Sequence, residues 1–261
     1  MSNPEQLNPS SRHPRQAALD PEDEARERLI IALDVPSANA AIGLIDRLES
    51  RCRWFKVGLE LFVQAGPAIL DVLTSRGHAV FLDLKFHDIP NTVAGAVRSA
   101  AACGVRMMTV HALGGPAMLS AAREALSGVA DPPELLAVTV LTSMDGSQLS
   151  AVGLSEGASE QVERLAKVGL RTGIRGFVCS PQEVGLLREL AGPEAVLVIP
   201  GIRPAGAEIG DQKRIATPAD ALRRGASYLV VGRPVTQALD PAGAADRILQ
   251  EMTAGLRKAS V

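Results

Sequence analysis

The chain has 261 residues, of which 46% are hydrophobic, 21% charged and 3% aromatic, and its formal net charge is -2. This length suits a single α/β barrel, and the absence of a basic run argues against nucleic acid and anionic membranes as partners. No apolar run in the sequence approaches the roughly 20 residues of a transmembrane helix. The widely separated Cys52, Cys103 and Cys179 predict a cytoplasmic protein without disulfides or a zinc site.

The first 27 residues are polar, contain several prolines and carry almost no large apolar side chains. We predict that residues 1–27 form a mobile tail, which ends in a short helix starting at Asp20 and Pro21. Residues 28–261 are then expected to form one folded domain.

From Leu29 onward, short β-branched or apolar segments alternate with helical segments. Ser180-Pro181 with Glu183, and Thr217-Pro218 with Asp220, each resemble an N-cap followed by proline at the first helical position. Alternating strands and helices indicate a parallel sheet, and eight strands in one domain favour a closed (β/α)8 TIM barrel over a doubly wound sheet. No convincing GxGxxG or Walker loop supports a dinucleotide-binding fold. The predicted strands are residues 29–34, 54–58, 79–85, 106–111, 134–142, 176–180, 195–201 and 227–232.

Strand alternation places charged side chains at the carboxyl ends of the first three strands. In the third strand, Asp83 and Lys85 alternate with apolar residues that should face the helices, so both charges should point into the barrel. Asp34 and Lys56 take the same inward phase at the ends of the first two strands, and Asp88 follows the third. These charges could form a network that only fixes the structure. Because desolvation tends to cancel the Coulomb gain of buried charges, we interpret them instead as a functional site.

The chemistry of this array favours a decarboxylation. Alternating aspartates and lysines stabilise each other's charged forms. A cationic lysine is a poor nucleophile, which disfavours a Schiff base, but it can stabilise and protonate a carbanion. A carboxylate beside it repels an anionic group of the substrate, and loss of that group as CO2 relieves the repulsion.

A second candidate site follows the last two strands. Arg203 comes after the seventh strand, and Gly232 and Arg233 come after the eighth. Barrels frequently bind phosphate with these two loops, since glycine lets backbone N–H groups approach an oxyanion and arginine offers forked donors. The alternative is two turns with solvated arginines, which the pairing of these positions disfavours. The polar segment 205–216 is predicted to be a lid that closes on phosphate.

The residues resemble the orotidine 5′-phosphate decarboxylase family of the bacterial type. The most specific match is FLDLKFHDIPNTV at residues 81–93, and the matches cover roughly residues 29 to 250 in order and spacing. The shorter matching segments are IALD (31–34), FKVGLE (55–60), TVHALGG (109–115), LTS (141–143), VCSP (178–181), PGIRP (200–204), GDQKRIATP (210–218) and VVGRP (230–234).

This resemblance implies conversion of orotidine 5′-phosphate to UMP without a metal or other cofactor. Lys85 is expected to donate the proton to C6 of the pyrimidine, and Asp83 is expected to lie against the substrate carboxylate. Asp34 and Lys56 would complete the array and hold ribose hydroxyls. The expected catalytic residues are therefore Lys85, Asp83, Lys56 and Asp88.

The resemblance also assigns the remaining substrate contacts. Thr142 or its neighbour Ser143 is expected at the pyrimidine edge. Asp88 and Thr92 are expected to reach into the active site of a partner subunit, which implies an obligate homodimer with shared sites. The expected phosphate-binding residues are Gln212, Gly232, Arg233 and, in an assisting role, Arg203.

Two other functions remain open at this point. Related barrels with an Asp-x-Lys-x-x-Asp strand include sugar-phosphate decarboxylases and hexulose-phosphate aldolases, which use Mg2+ and an enediolate. Residues 89–92 and 210–218 favour the pyrimidine enzyme. The second possibility is a non-catalytic sensor of phosphate ligands on a barrel scaffold. His111 is predicted to support its neighbours rather than act as a base, and Cys179 precedes a helix start rather than occupying a nucleophile elbow.

Overall fold

The computed structural model describes residues 19–204 and 214–259. The strands are β1 (Leu29–Ala32), β2 (Trp54–Gly58), β3 (Ala79–Phe86), β4 (Met107–His111), β5 (Glu134–Val138), β6 (Gly176–Val178), β7 (Val196–Ile199) and β8 (Tyr228–Val231). The helices are α1 (Pro21–Arg28), α2 (Ala38–Leu48), α3 (Leu59–Ala65), α4 (Ala68–Ser75), α5 (Pro90–Ala102), α6 (Gly115–Glu124), α7 (Gly146–Ala151), α8 (Ala158–Arg171), α9 (Val184–Ala191), α10 (Pro218–Arg223), α11 (Arg233–Thr236) and α12 (Pro241–Ala259). Short 3-10 helices lie at Glu49–Arg51 and Ala112–Gly114.

The eight strands close into a barrel in chain order, and each strand runs parallel to both neighbours. The predicted (β/α)8 TIM barrel is therefore confirmed. The predicted strand bounds differ most from the structure at β5, which ends at Val138 rather than at residue 142. The apolar residues Val140 and Leu141 that extended the predicted strand line the barrel mouth instead.

Alternation along the strands divides the apolar side chains between two regions. One set, which includes Ile31, Phe55 and Val57, packs beneath the surrounding helices in the main core. The other set, which includes Ile30 and Phe81, fills the barrel interior. Full burial of each such side chain contributes roughly 1.5–3 kcal/mol. The barrel is therefore a packed core, and a ligand can reach it only from an end of the strands.

Helix α1 lies within the predicted tail. Asp20 caps it, accepting a hydrogen bond from the backbone amide of Glu22 at 2.9 Å, and Pro21 occupies the first turn. Ala25 is fully buried, and Glu22 lies 3.8 Å from Arg257 of α12. The predicted short helix is thus confirmed, and the boundary drawn at residue 27 falls one residue before its end. The mobility predicted for residues 1–18 concerns residues outside the described part of the chain.

The two predicted helix starts differ in outcome. Thr217 caps α10 by accepting a hydrogen bond from the backbone amide of Asp220 at 3.2 Å, as predicted. The helix expected at Pro181 begins instead at Val184, although Glu183 accepts the hydrogen bond from the backbone amide of Ser180 that the predicted capping box requires, at 3.1 Å. Glu183 also turns inward to pair with Arg214. Within residues 19–204 and 214–259, no helix is long and apolar enough to cross a membrane.

Candidate active site

The predicted charge array forms at the carboxyl ends of β1, β2 and β3. Lys56 Nζ lies 3.0 Å from Oδ1 of Asp34 and 3.6 Å from Oδ2 of Asp83. Lys85 Nζ lies 2.8 Å from Oδ1 of Asp83. The charges therefore alternate in sign along one row. The side chains at its centre, Lys56 and Asp83, are 11% and 14% exposed, whereas that of Lys85 is 31% exposed, so a ligand can approach the Lys85 end.

Asp83 is the most constrained ion of the row. Burial alone would raise the pKa of Asp83, but the positive charges of Lys56 and Lys85 act against it. Hydrogen bonds from Lys85 and Thr109 add to their effect, and together they hold the pKa of Asp83 below its ordinary value. The site therefore presents a fixed negative charge at neutral pH, which repels any anionic group placed beside it.

The backbone at Lys85 departs from a regular strand. Its φ is +50°, and Lys85 is the one non-glycine residue with a positive φ in residues 19–204 and 214–259. The pairing of β3 with β4 shifts register between Leu82 and Phe86. Sparsely populated backbone conformations persist where the surroundings over-determine them, and they cluster at functional sites. The proposed proton donor thus stands on a strained bulge rather than on the regular ladder.

A cavity of about 190 Å³ opens beside the array. Lys56, Asp83 and Lys85 form its charged edge, and Thr142 contributes a hydroxyl to its wall. Of the two residues expected at the pyrimidine edge, Thr142 lines this cavity, while Ser143 is exposed. Apolar walls with few polar groups suit a flat heterocycle. The apolar lining residues are Phe81, Val138, Val140, Leu141, Val178, Pro200 and Val230.

The residues expected to bind phosphate lie after β7 and β8. Arg203 is buried, and its Nη1 donates to the carbonyl of Ile202 at 2.9 Å. Burial and the charge of Arg233 lower the pKa of Arg203, so the two guanidinium groups lie close enough to repel each other. An anion between them would be stabilised by both. Arg233 begins the short helix α11, which follows Gly232.

Gly232 lies between Arg233, its neighbour in the chain, and the Asp34 end of the charge array. A side-chain carbon at position 232 would lie 3.7 Å from Oδ2 of Asp34. A phosphate held at Gly232 and Arg233 would therefore lie near the Asp34 end of the array. Gln212 and most of the predicted lid, residues 205–213, lie outside the described residues.

The loop after β3 carries exposed polar groups. Asp88 and Thr92 are both exposed, and Oδ1 of Asp88 accepts a hydrogen bond from the backbone amide of Ile89 at 2.6 Å. His87 and His111 stack with ring centroids 5.2 Å apart. Burial, His87 and Lys85 lower the pKa of His111 to about 4, so the ring is neutral at pH 7. A neutral His111 adds no positive charge next to Lys85.

A family described as "Orotidine 5'-phosphate decarboxylase / HUMPS family" matches residues 27–248. The chain belongs to this family. Orotidine 5′-phosphate decarboxylases from Alkalilimnicola ehrlichii and Moorella thermoacetica are 54% and 52% identical to it over 230 and 234 residues. These matches cover 88% and 87% of this chain, and 98% and 93% of the two relatives.

A solved structure agrees with this assignment. The crystal structure of orotidine 5′-phosphate decarboxylase from Lactobacillus acidophilus has a TM-score of 0.76 and 39% sequence identity, and the match covers 87% of this chain and 99% of that one. The family resemblance drawn from the sequence motifs is thus confirmed. The structure brings two groups of the expected residues together. The charge array and the cavity contain Asp34, Lys56, Asp83, Lys85 and Thr142. The loops after β7 and β8 contain Arg203, Gly232 and Arg233.

Sequence reasoning missed a buried ion pair that supports the cavity wall. Arg214 Nη1 donates to Oε1 of Glu183, and its Nη2 donates to the carbonyl of Leu141 at 3.0 Å. Glu183 also accepts a hydrogen bond from the backbone amide of Ser180 at 3.1 Å. These contacts join the loops after β5, β6 and β7. The partners are far apart in sequence, so no local spacing could have revealed them.

Proposed function

We infer that this protein decarboxylates orotidine 5′-phosphate to UMP, the last step of de novo pyrimidine nucleotide synthesis. The observation that carries the inference is the alternating row of Asp34, Lys56, Asp83 and Lys85 beside an apolar cavity, in a chain of this family. A cavity with one charged edge and apolar walls suits a pyrimidine whose carboxylate projects toward the ions.

We propose that Asp83 and Lys85 perform the chemical step. The substrate carboxylate lies near Asp83, and the bond from C6 to the carboxyl carbon breaks as CO2 leaves. The electron pair stays on C6, where the Lys85 ammonium stabilises it and then transfers a proton to C6. Neutral Lys85 regains a proton from solvent, so no oxidant, reductant or cofactor takes part.

The repulsion between Asp83 and the substrate carboxylate can account for only part of the rate acceleration. Two carboxylates about 4 Å apart repel by about 4 kcal/mol at an effective dielectric constant of about 20. If the transition state relieved all of it, the rate would rise by about a thousandfold. Larger accelerations therefore require Lys85 to stabilise the forming carbanion, and they require binding energy from groups remote from C6.

That remote binding energy is assigned to the ribose and the phosphate. Asp34 and Lys56 hold ribose hydroxyls, and Thr142 or Ser143 contacts the pyrimidine edge. The proposed phosphate ligands are Gln212, Gly232, Arg233 and Arg203. The positions of Arg203, Gly232 and Arg233 after β7 and β8 support this assignment, because barrels frequently bind phosphate with these two loops.

We further propose a homodimer in which Asp88 and Thr92 complete the partner's active site. Ile89, which lies between them, is 67% exposed, and Leu59 and Val63 of α3 are exposed as well. Burial of these side chains against a second subunit would remove apolar surface from water. In a two-fold dimer the exchange is reciprocal, so each subunit would supply Asp88 and Thr92 to the other.

The proposed catalytic domain comprises residues 28–261, and its proposed location is the cytoplasm. Cys52, Cys103 and Cys179 are free, which fits a reducing compartment. Burial raises the pKa of the Cys52 thiol to about 12, so this thiol stays protonated and unreactive at neutral pH.

Ultraviolet absorbance of orotidine 5′-phosphate tests the proposed function directly. Purified protein should change the absorbance of the orotate ring as UMP accumulates, and chromatography should identify UMP as the product. The rate should be the same with and without EDTA. A flat trace from folded protein would reject the enzyme in favour of a sensor, and loss of turnover in EDTA with recovery in Mg2+ would favour the metal-dependent sugar-phosphate reactions.

A further inference from the structure

Thr109 of β4 is a fully buried hydroxyl on the inner side of the barrel. Its neighbours Met108 and Val110 belong to the core beneath the helices, so alternation turns Thr109 inward. Its Oγ1 accepts a hydrogen bond from the backbone amide of Lys85 at 2.8 Å and donates one to Oδ1 of Asp83 at 3.1 Å. The Thr109 hydroxyl therefore donates a hydrogen bond to one residue of the charge array and accepts one from another.

The bulge in β3 explains why the Lys85 amide needs this partner. Leu82 pairs with Met108, and Phe86 pairs with Val110. Three residues of β3, 83–85, therefore stand opposite Thr109 alone. A backbone amide left without a partner in a buried strand is costly, and the regular ladder has no carbonyl in register for Lys85. The Thr109 hydroxyl takes the place of that carbonyl.

We propose that Thr109 is a positioning residue for the decarboxylation, because it holds the Asp83 carboxylate and the Lys85 backbone in one fixed arrangement. Thr109 has no exposed surface, so it acts through Asp83 and Lys85 rather than on the substrate. The bond to the Lys85 amide maintains the backbone turn from which the ammonium reaches Asp83. The bond to Asp83 fixes which face of the carboxylate meets the substrate. The inference rests on the proposed function and adds a residue that lies in a matching segment but to which neither the sequence motifs nor the family resemblance assigned a role.

Replacement of Thr109 by valine and by serine separates the hydroxyl from the shape of the side chain. Thr109→Val keeps the branched shape and removes both hydrogen bonds, whereas Thr109→Ser keeps them. Thr253 provides a matched control, because it is also buried and its hydroxyl donates to the carbonyl of Leu249 at 2.8 Å within the outer helix α12. Thr253→Val therefore reports the effect of losing a buried threonine hydroxyl away from the active-site cavity.

The readouts are kcat for orotidine 5′-phosphate and the dissociation constant of UMP. UMP has no carboxylate at C6, so its affinity reports the binding groups rather than the relation between Asp83 and Lys85. We expect Thr109→Val to lower kcat by about 10- to 100-fold, since small misplacements of reacting groups have effects of this size. UMP affinity should change by less than about threefold, which corresponds to well under 1 kcal/mol. Thr109→Ser should recover most of the rate, and Thr253→Val should keep it.

The outcomes are distinguishable. A wild-type protein without decarboxylase activity overturns the proposed function, and the positioning role with it. An active wild type with a Thr109→Val kcat equal to that of Thr253→Val overturns the positioning role alone. Equal losses of kcat in Thr109→Val and Thr109→Ser would also overturn it, because they would assign the effect to packing. If Thr109→Val does not fold, Thr109→Ala takes its place in the comparison with Thr109→Ser.

Discussion

The ammonium of Lys85 lies 2.8 Å from the carboxylate of Asp83, although a single residue separates the two in β3. In a regular strand, residues i and i+2 stand side by side on one face at a spacing of about 6.6 Å. The positive φ of Lys85 interrupts that geometry at the point where the two charges meet. The pairing of these ions is thus linked to a backbone conformation that a side chain ordinarily disfavours.

This link predicts an unusual ranking of stabilities at position 85. A left-handed conformation costs roughly 1 kcal/mol for a residue with a Cβ, and glycine avoids this cost. Lys85→Gly should therefore be as stable as Lys85→Ala or more stable, by up to about 1 kcal/mol. Urea denaturation of the two variants measures the difference.

Lys167 in α8 provides the control for that comparison, because it occupies an ordinary, exposed helical position. Lys167→Gly should be less stable than Lys167→Ala by about 1 kcal/mol. If the pair at position 85 showed the same ranking as the pair at position 167, the strain assigned to Lys85 would be absent in solution.

Arg233→Ala should weaken phosphate binding. Loss of a hydrogen bond to a charged group costs about 1.5–3 kcal/mol, so kcat/KM should fall by about 10- to 100-fold, mainly through a higher KM. If phosphate binding energy is used at the transition state, kcat falls too. Arg223→Ala is the matched control, since Arg223 is exposed on α10 and paired with Asp220. Equal kcat/KM values for the two variants would remove Arg233 from the phosphate site.

If the active sites are shared between subunits, two inactive variants should regain activity when they are mixed. In a mixed dimer of Lys85→Ala and Asp88→Ala chains, one site receives both wild-type residues and the other receives neither. Random mixing makes half of the dimers mixed, so the activity should reach about one quarter of the wild-type value. A mixture of Lys85→Ala with Asp83→Asn should stay inactive, since both residues belong to the same chain's site. No rescue, despite demonstrated subunit exchange, would show that each site is self-contained.

His111 should stay neutral over most of the acid range. Its pKa is lowered to about 4 by burial, His87 and Lys85, from an ordinary value of 6.5. In that interval the unfolded chain binds the proton that the folded chain rejects, so this group makes stability decrease as the pH falls from 6.5 toward 4. Nuclear magnetic resonance of the ring protons should give a titration midpoint near 4. A midpoint near 6.5 would mean that the ring is solvated.

The sequence predicted the parts of the site that follow from strand periodicity. Alternation in β3 separates Asp83 and Lys85 from Leu82 and Leu84, because the apolar residues must meet the helices. The same rule brought Asp34 and Lys56 to the barrel mouth. Here the position of a side chain depends only on its place in a strand and on the closure of the sheet.

Other features depend on contacts that have no local pattern. The bulge at Lys85 arises from the pairing of β3 with β4, and the inward turn of Glu183 arises from its partner Arg214. Thr109 was visible within the segment TVHALGG, but its role appears only when two residues of the neighbouring strand are placed beside it. The roles expected of Asp88 and Thr92 require a second chain.

The catalytic rate of Lys85→Ala tests the central claim most directly. A positioned general acid contributes about 10²- to 10⁴-fold, and Lys85 also stabilises the carbanion electrostatically, so kcat should fall by at least about a thousandfold. The variant should remain folded and should bind UMP with an affinity within about tenfold of the wild type, since the phosphate and ribose contacts are intact. A folded Lys85→Ala protein that retained a substantial fraction of the wild-type kcat would show that the row of alternating charges does not carry the reaction.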